Sequence, residues 1–171
     1  MINKNIDQGR RRFLTTAATV VGGVGAVAAA VPFVSNMNPS AKTKAIGAPV
    51  EVDISKLEPG DLMIEKWQGK PVWILRRTGE MLKDISSLND EVSDPASDDS
   101  AQPDYAKNEF RAREDEFLVV IGICTHLGCS PNFVMKEEGD SIDADWKGGF
   151  FCPCHGSRFD LAGRVFKGAP A

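Results

Sequence analysis

FLVVIGICTHLGCSP, residues 117–131, begins as a β-branched apolar run and ends in a glycine-bearing turn that carries Cys124, His126 and Cys129. The run reads as a strand, because β-branched side chains pack well on a pleated surface. A second such stretch lies downstream, where Phe150-Phe151 leads into Cys152-Pro-Cys-His-Gly-Ser157. All four cysteines and both histidines of the 171-residue chain fall between Cys124 and His155. Scattered core cysteines and surface histidines would not gather so tightly. As ligand spacing the two boxes read C-x-H and C-x-x-H, with 25 residues between His126 and Cys152.

Two thiolates and two imidazoles suit zinc. They equally suit an iron–sulfur centre in which two histidines replace two cysteines on one iron. Cys129 and Cys154 are left over, each within a few residues of a candidate ligand. A disulfide between them would tie the boxes together, and such a bond belongs to an oxidising compartment.

Around the boxes the chain is built of short runs. Val50, Val52 and Ile54 alternate, as do Leu62 and Ile64. Val72-Trp-Ile-Leu75 lies between turn signals at Gly69-Lys70-Pro71 and Thr78-Gly79, and Lys147-Gly148-Gly149 reads as a hairpin turn before Phe150. Many short strands with frequent turn residues indicate an all-β sandwich or small barrel. Asp84–Glu116 breaks this pattern. It is acidic, contains Pro95 and Pro103, and reads as a solvated insertion with one helix around Tyr105–Arg113.

The net charge of -4 gives no reason to expect nucleic acid as a partner, but the charge is unevenly placed. Lys4, Arg10, Arg11 and Arg12 against Asp7 give the first 12 residues +3, and no charge follows until after Ala41, so the rest carries -7. Phe13–Val34 is uncharged; as a helix it would be about 33 Å long, enough to cross a bilayer core. Gly22, Gly23 and Gly25 would let a neighbouring helix approach. A cleaved signal ending at Ala28-Ala29-Ala30 is the competing reading, but the run exceeds the usual length of about 7–15 residues. Arginines before the span put the N-terminus in the cytoplasm and the body on the far side. Asn36–Gly47, small, polar and Pro/Gly-punctuated, reads as a tether.

GRRRFLT, residues 9–15, resembles a twin-arginine export signal. CTHLGC and CPCHGS resemble the two boxes of the high-potential Rieske proteins of quinol-oxidising complexes, and the likeness runs across nearly the whole chain. It implies an all-β Rieske-type domain, an antiparallel sandwich with a cluster-binding subdomain of two loops, on a single N-terminal transmembrane helix. The implied layout is a cytoplasmic tail over 1–12, an anchor over 13–35, a hinge over 36–47 and a periplasmic head over 48–171, with cluster binding at about 122–160.

The resemblance also implies one 2Fe-2S cluster, with Cys124 and Cys152 on one iron and His126 and His155 on the other, and a Cys129–Cys154 disulfide. Neutral imidazoles leave such a cluster less negative, at roughly -150 to +300 mV. Ser157 matches the family serine that donates to a bridging sulfide, Gly128 and Gly156 would let backbone N–H groups approach, and Pro153 fixes one φ between two cysteines. His155 would accept a hydrogen bond and a proton from ubiquinol. Leu127 would be an apolar docking contact with cytochrome b, or else local packing. The electron would pass to a c-type cytochrome within a dimeric complex of a bacterial inner membrane, contributing to proton translocation.

Phe159 departs from the family, which often has a tyrosine there donating to a ligand sulfur, so a lower potential is expected. The chain also stops at Gly168-Ala-Pro-Ala171, where relatives continue through a proline-rich loop and a closing strand. The alternatives are a Rieske subunit of another exported oxidoreductase such as arsenite oxidase, a soluble Rieske ferredoxin or oxygenase component, and a structural zinc domain.

Overall fold

The computed structural model describes residues 7–171. They form two compact units, one up to Ala48 and one over Pro49–Ala171.

The first unit holds α1, Gln8–Ser35, and α2, Ala41–Ile46. Asp7 caps α1 by accepting from the N–H groups of Gly9 and Arg10. The helix therefore starts five residues before the apolar run and takes in the three arginines. No residue of α1 is buried, and it is long and apolar enough to cross a membrane. Thr15 and Thr19 donate their hydroxyls back to carbonyls one turn earlier, which masks their polarity along the helix. The expected tether is not featureless: Ser40 accepts from Thr43 N–H and starts the six-residue α2.

The second unit contains two three-stranded antiparallel sheets. The first is β1 (Leu62–Trp67), β2 (Lys70–Arg76) and β3 (Phe117–Ile121). A two-residue turn at Gln68-Gly69 sets Leu62 opposite Leu75, and Val72 lies opposite Ile121. The second is β4 (Asn132–Val134), β5 (Gly149–Cys152) and β6 (Ser157–Phe159), with Phe150 opposite Phe159 and Cys152 opposite Ser157. Trp73, Leu75 and Leu118 of the first sheet share one core with Cys124, Phe150, Cys152, Phe159 and Leu161. Trp73 stacks on Phe150 at 5.0 Å between ring centroids. This core is the floor from which both cysteine–histidine boxes rise.

Several local expectations are corrected. Val50, Val52 and Ile54 form no strand, because no neighbouring strand pairs with them, and Val50 and Ile54 stay exposed. Thr78-Gly79 is not a turn but the start of α3, Gly79–Ser87, where Thr78 accepts from Met81 N–H and Ile85 is driven into the core. No α-helix covers Tyr105–Arg113; only a single 3₁₀ turn forms, at Asp104–Ala106. Asn108 Oδ1 instead captures the N–H groups of Phe110 and Ala112, and Arg111 has φ +49°. A side chain that bonds the local backbone competes with the helical ladder in this way.

The acidic insertion is also more than a solvated connection. Leu88, Val92, Ser97, Ala106 and Ala112 are buried. Arg111 donates to Ser97 Oγ and to Gly163 O, pinning the insertion to the turn after β6.

The apolar run of β3 ends at Ile121 because Gly122 passes flat against Trp73. A Cβ at Gly122 would lie 2.1 Å from the indole ring. Gly122→Ala is therefore expected to destabilise the domain by about 1–3 kcal/mol, as overpacking does in a filled core. Urea denaturation with an unchanged midpoint would contradict this.

Candidate metal centre

Each box closes on itself in the same way. Gly128 N–H donates to Cys124 O at 3.0 Å, and Gly156 N–H donates to Cys152 O at 3.0 Å. The two glycines adopt φ +85° and +77°, where side-chain-bearing residues are strained. The first turn hangs between β3 and β4. The second is the hairpin loop between β5 and β6. In each, a buried cysteine sits at the base and a histidine rides inside the turn.

Cys124 and Cys152 are buried free thiols. Cys129 and Cys154 are joined by a disulfide that bridges the two turns. Cys124 N–H also donates to Cys129 O at 2.7 Å, which returns the first turn to its base. His126 and His155 face each other edge to face, with ring centroids 4.8 Å apart. His126 is partly buried and His155 exposed. Leu127 projects beside them with 72% of its surface exposed, so it does not pack under its own loop.

Two buried polar atoms at the site have no partner: His126 Nδ1 and Ser157 Oγ. Ser157 is wholly buried at the first position of β6, opposite Cys152. Buried polar atoms are normally satisfied, so such orphans call for a missing group. An imidazole nitrogen suits a metal, and a hydroxyl suits an acceptor sulfur. The Sγ of Cys152 lies within 4.8 Å of the sulfurs of Cys129 and Cys154, but those two are consumed in their disulfide and offer no thiolate. The donors left are two thiols and two imidazoles, a set that fits a cluster with mixed sulfur and nitrogen ligation. Phe159, on the same face of β6 as Ser157, is buried in the core that holds both thiols.

Behind the second turn lies a polar network that the sequence reading missed. Asp160 and Arg164 are both fully buried and paired, with Arg164 Nε donating to Asp160 Oδ2 at 2.7 Å. Arg164 also donates to Asn89 Oδ1, Pro95 O and Ile85 O. Arg77, equally buried, donates to the carbonyls of Asp115, Phe110 and Leu161. Burial pushes the Asp160 carboxyl up against the pull of Arg164, and burial lowers Arg77 to about 10. The signal was a D-x-x-G-R pattern over 160–164 directly after the second box.

Residues 104–171 match the Rieske [2Fe-2S] domain, and residues 3–40 match the ubiquinol–cytochrome c reductase Fe-S subunit TAT signal. A ubiquinol–cytochrome c reductase iron-sulfur subunit of Allochromatium vinosum is 57% identical over all 171 residues, which span 83% of that protein. The subunit of the same name from Bradyrhizobium diazoefficiens is 42% identical over 95% of this chain and 84% of its own length. A solved chain described as hyperthermophilic respiratory complex III overlaps 91% of this chain and 86% of its own, at 24% identity and a TM-score of 0.47. On the strength of the full-length identity, the chain belongs to the family of ubiquinol–cytochrome c reductase iron-sulfur subunits.

Proposed function

We propose that this chain is the electron-transfer subunit of a respiratory quinol–cytochrome c reductase, and that Cys124, His126, Cys152 and His155 hold its single 2Fe-2S cluster. The observation that carries the reading is the pairing of two buried thiols with two facing imidazoles on turns joined by a disulfide. Cys124 and Cys152 would bind one iron, and His126 and His155 the other. When bound, the cluster supplies one-electron chemistry at a potential raised by its neutral imidazole ligands.

The chain's own residues do the rest. His155, exposed at the tip, accepts the hydrogen bond of a ubiquinol hydroxyl and takes its proton. Leu127, apolar and exposed beside it, seats the tip on cytochrome b. Ser157, whose buried hydroxyl has no protein partner, would donate it to a cluster sulfur, and the Cys129–Cys154 bond holds the two turns together. The full-length similarity favours this assembly over an arsenite oxidase type of partner.

The layout follows. Residues 1–12 lie in the cytoplasm, 13–35 anchor the chain in the inner membrane, and 48–171 form a periplasmic head. Residues 36–47 are the hinge on which the head moves between cytochrome b and a c-type cytochrome within a dimeric complex. A six-residue helix such as α2 is marginal alone, so it can open and reform as the head moves.

Low-temperature EPR of the dithionite-reduced full chain, with iron and zinc measured on the same sample, tests the reading. The expected result is a rhombic signal with about two irons per chain. EPR silence with bound zinc would overturn it. Phe159 supplies a further prediction. It cannot donate a hydrogen bond, so Phe159→Tyr is expected to raise the midpoint in a redox titration, because a donor to a ligand sulfur stabilises the reduced state. An unchanged or lower midpoint would refute that role.

A further inference from the structure

The two buried thiols are not equivalent. Cys152 Sγ lies within 4.8 Å of both sulfurs of the Cys129–Cys154 disulfide, and Cys124 is not part of that group. Cys152 is only 2% exposed, so its neighbours, rather than dissolved thiols, are its available reaction partners.

We propose that Cys152 is a disulfide-exchange site: whenever no metal holds its sulfur, it attacks Cys129 and displaces Cys154. This rests on the ligand assignment proposed above. The Cys152–Cys129 sulfur–sulfur bond forms, the Cys129–Cys154 bond breaks, and the thiol proton of Cys152 passes to the departing Cys154 sulfur. One disulfide is consumed and one made, so neither oxidant nor reductant is required.

Three observations set the direction. Attack on Cys154 instead would close a ring across Cys152-Pro153-Cys154. Pro153 fixes φ in that ring and leaves little freedom to reach disulfide geometry. Attack on Cys129 replaces a bridge of sequence separation 25 by one of 23, which leaves the loop-closure entropy almost unchanged. The leaving group, Cys154, sits on the exposed part of its turn, where water solvates the freed sulfur, whereas Cys129 is partly buried.

The consequence is a trap. The exchanged chain keeps one disulfide and two free thiols, so it is equal in redox state to the original. Yet it has lost a cluster ligand from the floor of the site, and iron cannot return until the exchange reverses.

The test uses the full chain in detergent, with iron and EPR signal measured first. Iron is then removed anaerobically with a chelator, thiols are alkylated at intervals in mildly acidic denaturant, which opens the buried Cys124 and Cys152 to the reagent, and disulfides are mapped by mass spectrometry before and after removal. The loaded protein is expected to show Cys129–Cys154 alone. After removal, Cys129–Cys152 should replace it in most chains, with alkyl label on Cys124 and Cys154. Reassembly with iron and sulfide should fall in proportion. Label remaining on Cys152, a Cys152–Cys154 bond, or any bond to Cys124 overturns the proposal. A starting protein without iron defeats the ligand assignment separately. Its own map then decides the exchange, which stands if Cys154 is labelled and falls if Cys152 is.

Discussion

Arg164→Met is expected to lower the unfolding free energy by about 3–5 kcal/mol at neutral pH, the usual cost of leaving one member of a buried ion pair without its partner. The guanidinium is fully buried and serves four acceptors: Asp160, Asn89, Pro95 and Ile85. Methionine fills much of its volume and satisfies none of them. Asp160 would keep the N–H groups of Ala162 and Arg164, but would lose the only cation bonded to it.

The pH dependence has a definite sign. Burial already raises the Asp160 carboxyl above its ordinary value, and loss of Arg164 raises it further. The folded variant then binds a proton more tightly than the unfolded chain does, so its stability falls as pH rises through the carboxylate range. The deficit should therefore shrink at about pH 4 relative to about pH 7. Adding Asp160→Leu should recover the part due to the stranded charge, and the remaining loss reports the three other acceptors together with the N–H groups of Ala162 and Arg164, which leucine leaves without a partner. Urea titrations of the single and double variants at both pH values measure this. Equal deficits at the two pH values would refute the charge account.

Replacing Cys129 and Cys154 together by serine is expected to cost about 3.5 kcal/mol, the chain-entropy value for a loop with sequence separation 25. The site should suffer more than the stability. Each turn is closed by its own backbone bond, but between the turns the disulfide is the only covalent tie. Without it the two histidines, now 4.8 Å apart, are free to separate. Iron per chain and denaturation midpoint should both drop in the double-serine protein. Full iron content with an unchanged midpoint would show that packing alone holds the turns.

What could be read in the sequence follows a physical divide. The boxes were legible because metal chemistry demands particular atoms at short spacing, so Cys124, His126, Cys152 and His155 stood out in one dimension. The strands from Leu62, Val72 and Phe117 were legible because apolar runs between turn residues have few other uses. The helix at Gly79–Ser87 was not, since Thr78-Gly79 serves equally as a turn or as a helix cap, and only the burial of Ile85 decides between them. The helix expected at Tyr105–Arg113 failed for a similar reason: the Asn108 side chain competes for the backbone, and propensity does not report that. The buried arginines were invisible because Arg77, Arg111 and Arg164 look like surface charge until the carbonyls they serve are brought together from positions 33 to 84 residues away.

Because Cys124 and Cys152 each bond to the glycine four residues on, each jaw of the site keeps its shape without help from the chain between them. That intervening segment carries exposed acidic residues at Glu137, Glu138 and Asp140. Its length is thus released from the chemistry. Doubling a flexible loop costs only about 0.6 kcal/mol, so lineages of this protein can gain or lose residues around Asp140 and Ser141 while the jaws stay in register.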